Sequence, residues 1–230
     1  MANKKADLSK MRCEVKYYND DWQKIKDSAL FTIHKESGKY PTEEWKKKIL
    51  LAEHSPIREG NIIVNVYDVP SFVITHFVRH HNGIEKYVAT FRSDRIDYDE
   101  VPNRNTLQNM RLSINFQAFI NISRKRFCNS ASYETRMVWK MIMETVKEKD
   151  EALFFACVPE CVYRGGCPEM FPCNCDGTGG TLFGKFVKNV VEKGNKPEIL
   201  FNVNKRYELY HQFVEDGGRD YELKRGNELW

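Results

Sequence analysis

Arg79, His80 and His81 stand side by side at the end of VPSFVITHFVRHH (residues 69–81), a segment otherwise apolar enough for a buried helix opening at Pro70. Cations near a helix C-terminus interact favourably with the backbone dipole, by ~0.3–1 kcal/mol each at exposed sites. Three in a row exceed what capping needs. Side chains of these types can hold a phosphate or, through the histidines, zinc. Zinc fits less well, because adjacent histidines on a helix point about 100° apart, and the spacing of His54 and His76 adds no support. Thr90 and Arg92, a hydroxyl and a second guanidinium, follow downstream.

A third guanidinium is conspicuous by its place on a helix. On a projection of about 100° per residue, Phe116, Phe119, Ile120, Ile122 and Phe127 share one arc of a helix over 116–127. Arg126 falls inside that arc, with Gln117 and Asn121 on its flank. A buried guanidinium needs a carboxylate, a set of carbonyls or a ligand. On this pattern alone, an ion pair or snorkelling at the helix end is the simpler account.

Cys157, Cys161, Cys167, Cys173 and Cys175 crowd into CVPECVYRGGCPEMFPCNC, whose Gly and Pro residues supply turns. The spacing is not a paired CxxC, no histidine lies among them, and it matches neither common ferredoxin pattern. Structural zinc and partly buried free thiols both remain open.

The elements that must position these residues alternate between two periodicities. Residues 14–18 and 61–69 read as strands, and 109–116 as a strand running into the helix that carries Arg126. Residues 20–36 and 40–54 read as amphipathic helices, the second with Pro41 near its first turn. Residues 82–107 read as irregular. Residues 130–150 form the clearest helix, with Tyr133, Met137, Val138, Met141 and Ile142 on its apolar face. GTGG (177–180) reads as a linker, and the tail beyond it as two polar helices. The class is α+β, a main domain over 1–176 with a helical appendage over 177–230.

Composition narrows the partners. A net charge of +4 over 230 residues, with both signs mixed, argues against a nucleic-acid tail or a polybasic membrane patch and suits a small anionic ligand. No apolar run reaches the roughly 20 residues that span a bilayer, and the N-terminal stretch lacks a signal peptide's apolar centre. A cytoplasmic protein is expected, its seven cysteines thiols or metal ligands.

Taken in order, the blocks resemble the flavin-dependent thymidylate synthases, which methylate dUMP using FAD. That family's first signature is Arg-His-Arg at a helix end, then seven residues, a Ser, and an Arg two positions beyond. Here it reads Arg79, His80, His81, with Thr90 in the Ser position after one inserted residue and Arg92 two positions on. Tyr87-Val88 replaces the Asn-Glu that usually precedes the Ser. The second signature, Asn-x-Arg-x-x-x-Asn with an Arg five residues on and then Trp-Glu, is similar to NFQAFINISRKRFCNSASYETR. Asn115, Asn121, Arg126 and Glu134 fall in register, Gln117 replaces the Arg, and Tyr133 the Trp. The run HSPIREG to VRHH and a Cys…Gly-Cys-Pro-Glu…Cys ending also resemble family segments, so the likeness covers residues 50–175. A long helical segment between the blocks is nearly absent.

The resemblance implies a central mixed or antiparallel sheet flanked by helices. It implies FAD held by Ser55, Arg79, His80, His81, Asn115, Gln117 and Asn121. It implies dUMP held by His76, Thr90, Arg92, Arg95 and Arg126, with Arg104 as another candidate for the second phosphate contact. Thr90 and Arg126 would be catalytic, polarising the pyrimidine and meeting its carbonyl. NADPH would reduce the flavin, methylenetetrahydrofolate would supply the carbon, and homotetramers would form the sites. No role as nucleophile falls to Cys128. Transfer of another one-carbon group such as hydroxymethyl, another deoxypyrimidine nucleotide, or a silent nucleotide- or flavin-binding relative are the alternatives.

Overall fold

Alternating apolar residues in three stretches close into one antiparallel sheet. The computed structural model describes residues 8–19, 21–36, 38–97, 101–170, 172 and 180–222. Within them lie β1 (Arg12–Asn19), β2 (Asn61–Pro70), β3 (Ile84–Val88) and β4 (Leu107–Asn115), in the order β1-β2-β4-β3. Every pairing is antiparallel, so of the two arrangements expected the mixed one falls away. Ile62, Val64 and Val66 of β2 and Met110, Leu112 and Ile114 of β4 are buried on one face. The other face carries Arg12, Glu14, Tyr67, Tyr87 and Arg111, and is polar.

β3 corrects the reading of 82–107 as irregular. Of its five residues only Ile84 is buried, and an edge strand with one apolar anchor leaves no alternation to detect. Gly83, immediately before it, has φ +71° and its backbone carbonyl accepts from Asn115 N–H at 2.9 Å. A Cβ there would stand 2.5 Å from Asn115 Nδ2, so both the turn and the close approach require glycine.

The helices on the buried face are α1 (Trp22–Phe31), α2 (Glu43–Leu51), α3 (Ser71–Val78), α4 (Phe116–Arg126) and α5 (Tyr133–Lys147). Asp21, Thr42, Asn115 and Ser132 cap α1, α2, α4 and α5, each side chain accepting a first-turn N–H. α1 and α2 are shorter than the sequence suggested, and left-handed residues follow them, His34 at φ +55° and Glu53 at φ +52°. α5 is rotated from the expected face. Val138, Trp139, Ile142, Met143 and Val146 are buried, while Tyr133, Met137 and Met141 are half-buried. Arg136 is buried beside them because its guanidinium donates to the carbonyls of Asn129, Ala131 and Tyr221.

The tail is not polar throughout. α6 (Glu151–Ala156) forms just before the cysteine-rich stretch, and α7 (Glu160–Arg164) forms within it, where the Gly and Pro residues suggested turns. α8 (Leu182–Glu192) and α9 (Val203–Glu215) pack on them through Phe186, Tyr210 and Phe213, with Phe155 and Val162. Arg206 donates to the carbonyls of Val162, Tyr163 and Leu200 at 2.6–2.8 Å. Arg219 returns the chain to the main core by donating to Tyr210 Oη and the Phe127 carbonyl. Cys157 and Cys161 are buried, and burial pushes both thiols up to about 12. Cys173, Cys175 and linker residues 177–179 lie outside the described residues. Among those described, no group of three or more His, Cys, Asp or Glu side chains is placed to hold a metal ion.

Candidate active site

α3 is apolar on nearly every side, so it must lie in the core, and its C-terminal end reaches the surface with His76, Arg79, His80 and His81. α4 follows β4 directly, which carries its last turn to the same place. There Arg126 Nε donates to His80 Nε2 at 2.9 Å, and Arg126 Nη2 donates to the His76 carbonyl at 2.5 Å. Lys86 of β3 donates to the His80 carbonyl. Two cations thus satisfy carbonyls at a helix C-terminus where the dipole is negative.

Both histidines here are neutral at pH 7. Burial, then the charges of Arg126, Lys86 and His81, push His80 down to about 4. Burial, then Arg126 and Arg79, hold His76 below its ordinary range. Because His80 Nε2 accepts from Arg126, its proton sits on Nδ1. Arg79 and His81 are exposed and, among the described residues, without a hydrogen-bond partner.

Arg124, two residues earlier on α4, is the deeply buried guanidinium, only 8% exposed. Its Nη2 pairs with Glu53, its Nη1 donates to Asn121 Oδ1 at 3.1 Å, and it stacks over Tyr163 at 3.6 Å. Gln117 Nε2 donates to the same Glu53 at 2.6 Å. Gln117, Asn121 and Arg124 recur every three or four residues and share one face of α4, whereas Arg126 faces α3. The ion pair that would be the simpler account of Arg126 is not observed, since among the described residues no carboxylate forms one with it. The buried ion pair belongs to Arg124.

The remaining candidates spread over two further places. Thr90, half-buried, accepts the Arg92 N–H at 3.1 Å, and the Arg92 fork is held by Asp94 at 2.9 and 2.6 Å. Arg95 is exposed in the next turn. Arg104 is the one brought to α3, its guanidinium 4.8 Å from the Phe72 ring, which meets His76 edge-on. Asn115 spends its Oδ1 on the α4 cap. Ser55 and His54 line a groove of about 530 Å³ with Leu30, Trp45 and Ile49. A larger hollow, about 650 Å³, lies on the open sheet face over Asn65, Tyr67, Tyr87 and Arg111, away from the clustered residues.

No family model matches the chain, and no curated protein does. Solved structures do. Two of thymidylate synthase X from Helicobacter pylori with FAD and dUMP align at 14% and 13% identity. They cover 64% of this chain and 98–99% of theirs, with a TM-score of 0.49. PolB, a UMP/dUMP methylase from Streptomyces cacaoi bound with 5-Br dUMP, aligns at 9% identity over 64% of this chain and 94% of its own, with a TM-score of 0.50. The chain has that methylase's fold. At these identities the likeness is one of fold, and it agrees with the α+β class and the sheet flanked by helices expected from the sequence. Among the described residues no helix is long and apolar enough to cross a membrane.

Within this fold, sequence reasoning missed Lys86, Ser132 and Thr135 beside α3, and the Glu53–Arg124 pair on the far side of α4. Ser132 was findable. It precedes the strongest apolar periodicity in the chain, where a capping residue belongs, with Thr135 three positions on. Glu53 carries no comparable mark, since a carboxylate after a helix reads as surface.

Proposed function

We propose that the chain is a flavin-dependent enzyme of nucleotide metabolism, a methyltransferase that converts dUMP to dTMP at C5. The observation that carries this reading is the Arg126 bridge. It joins the two blocks that resemble the thymidylate synthase signatures, 46 residues apart in the chain, at one helix end. In the proposed complex Arg126 Nη1 donates to a uracil carbonyl and stabilises charge developing there. Thr90 hydrogen-bonds the pyrimidine, Arg92 binds the phosphate, and Arg95 or Arg104 adds a second contact.

The residues present fit a flavin. Arg79 and His81 are free to meet its phosphates, and the groove beside Ser55 can take a flat ring. Asn115, Gln117 and Asn121 each engage one end of the amide with protein, which leaves the other end for a ligand. FAD, when bound, supplies the hydride, with NADPH as its reductant and methylenetetrahydrofolate as carbon donor. Ser55, Gln117 and Asn121 face one side of α4 and Arg79, His80 and Arg126 the other. That division supports sites shared between copies in a homotetramer.

One observation favours a second reading. The Arg92 fork is held by a carboxylate two residues away, as in a relative that no longer turns over substrate. The test is direct. Purified protein should carry oxidised-flavin absorbance and form dTMP, identified by mass spectrometry, from dUMP, NADPH and methylenetetrahydrofolate. A hydroxymethyl product would redirect the carbon chemistry. A protein that binds dUMP but yields no product supports the silent relative, and one that binds neither flavin nor dUMP removes the reading.

A further inference from the structure

Behind His76 runs a chain of hydroxyls that the functional reading does not use. Ser132, capping α5, accepts the Thr135 N–H at 3.4 Å, and its Oγ lies 2.8 Å from Thr135 Oγ1. Thr135 Oγ1 lies 2.7 Å from His76 Nδ1. Thr135 is fully buried, so its hydroxyl proton has only these two neighbours to go to. If Nδ1 carried the imidazole proton, it would donate to Thr135, Thr135 would donate to Ser132, and the half-buried Ser132 hydroxyl, whose Oγ also lies 3.5 Å from His76 Nδ1, would have to turn its proton to solvent. If Nδ1 is bare, Ser132 donates to Thr135, Thr135 donates to Nδ1, and every proton is placed. The ring proton then sits on Nε2. That atom has no partner among the described residues and is not among the buried unsatisfied atoms, so it reaches solvent. Arg126, held on the backbone carbonyl of the same residue, can only donate.

We propose that Ser132 and Thr135 are positioning residues that fix His76 as an Nε2–H donor toward the ligand, and that this donor selects a pyrimidine carrying a 4-carbonyl over one carrying a 4-amino group. The inference rests on the proposed dUMP site. Two donors at one helix end suit the carbonyl-rich edge of uracil. A cytosine amino group would place donor against donor and leave both unpaired, the kind of mismatch that costs a site most of its affinity for the wrong ligand.

The test has two arms. Nitrogen-15 spectra of the ligand-free wild type should show the Nε2–H tautomer at His76. Calorimetric titration of flavin-loaded protein with dUMP and dCMP should show at least about a tenfold preference for dUMP. Thr135→Val should narrow that preference, and Thr135→Ser, which keeps the hydroxyl, should restore it. A wild-type Nδ1–H tautomer overturns the proposal, as does a Thr135→Val protein of unchanged melting temperature that keeps the full preference. If wild type shows the Nε2–H tautomer yet binds neither nucleotide, the functional reading and the selectivity fall, and the positioning role stands on the spectrum alone.

Discussion

Two arginines on α4, two residues apart, have different environments, and the contrast shows what a guanidinium's neighbours decide. Arg124 has a carboxylate, an amide oxygen and an aromatic face, so its charge is balanced within the fold although its buried Nε–H finds no acceptor among the described residues. Arg126 has a neutral imidazole and a carbonyl, so its charge remains available to a ligand anion or carbonyl. Arg92 differs again, because Asp94 already occupies its fork on an exposed turn. Exposed pairs contribute at most about 1 kcal/mol, so Asp94→Asn should tighten dUMP binding by up to about fivefold. Unchanged or weaker binding would separate Arg92 from the phosphate. His80 sets a pH dependence whose sign follows from its neutrality. Its folded-state pKa lies at about 4 against an ordinary 6.5. Between those values the unfolded chain takes up a proton that the folded chain refuses, so stability falls as pH drops from 6.5 toward 4. His76 and His211 are also held low by burial and act in the same direction. His80→Gln keeps an acceptor for Arg126 and removes the titration, so its denaturation midpoint should fall less than wild type's between pH 7 and pH 4.5. Equal losses would show that His80 is not the group responsible.

At the scale of elements, α4 is the hinge of the account because its two faces serve two places. One face is tied to the residue after α2 through Glu53, which stands at 22% side-chain exposure against 9% for Arg124. Breaking so enclosed a pair leaves a buried charge. Glu53→Ala should therefore cost about 3 kcal/mol, read as a lower urea midpoint at unchanged slope. A loss below about 0.5 kcal/mol would mean that Arg124 is satisfied without it. The sequence made α4 legible. Asn115 caps it, its apolar residues recur with helical period, and β4 alternates straight into it. The same period placed Arg126 on the core side but could not say whether that side met a carboxylate or another helix's carbonyls. β3 was not legible, because an edge strand anchored by one isoleucine is defined by its partner's hydrogen bonds and not by its own pattern. α8 and α9 showed their helices yet hid their packing, since Arg206, which looked like surface charge, spends its donors on three backbone carbonyls. Arg79, His80, His81, Asn115, Gln117, Asn121 and Arg126 could be singled out from residue type and order. Ser132 and Thr135 could not be tied to His76, because a contact across 59 residues is made by the fold alone.

For the whole molecule, the flavin candidates of one chain divide between the two sides of α4, Gln117 and Asn121 on one and His80 with Arg126 on the other. If a complete site is shared between copies, as proposed, mass action makes flavin retention depend on protein concentration. Dilution followed by light scattering and flavin fluorescence should show loss of the oligomer and release of flavin together. A monomer that keeps one flavin would contradict shared sites. In the proposed reading, this chain binds dUMP with Arg126 bridging its two signature-like blocks. Isothermal titration of dUMP into flavin-loaded wild type and Arg126→Lys protein, alongside melting curves, tests it most directly. Lysine keeps the charge but cannot bridge His80 and His76 while reaching a uracil carbonyl. Wild type should bind dUMP saturably, and folded Arg126→Lys should show a dissociation constant about ten- to a hundredfold weaker, the loss of a charge-assisted hydrogen bond. Wild type that binds no dUMP, or a folded Arg126→Lys protein that binds it as tightly as wild type, would contradict the account.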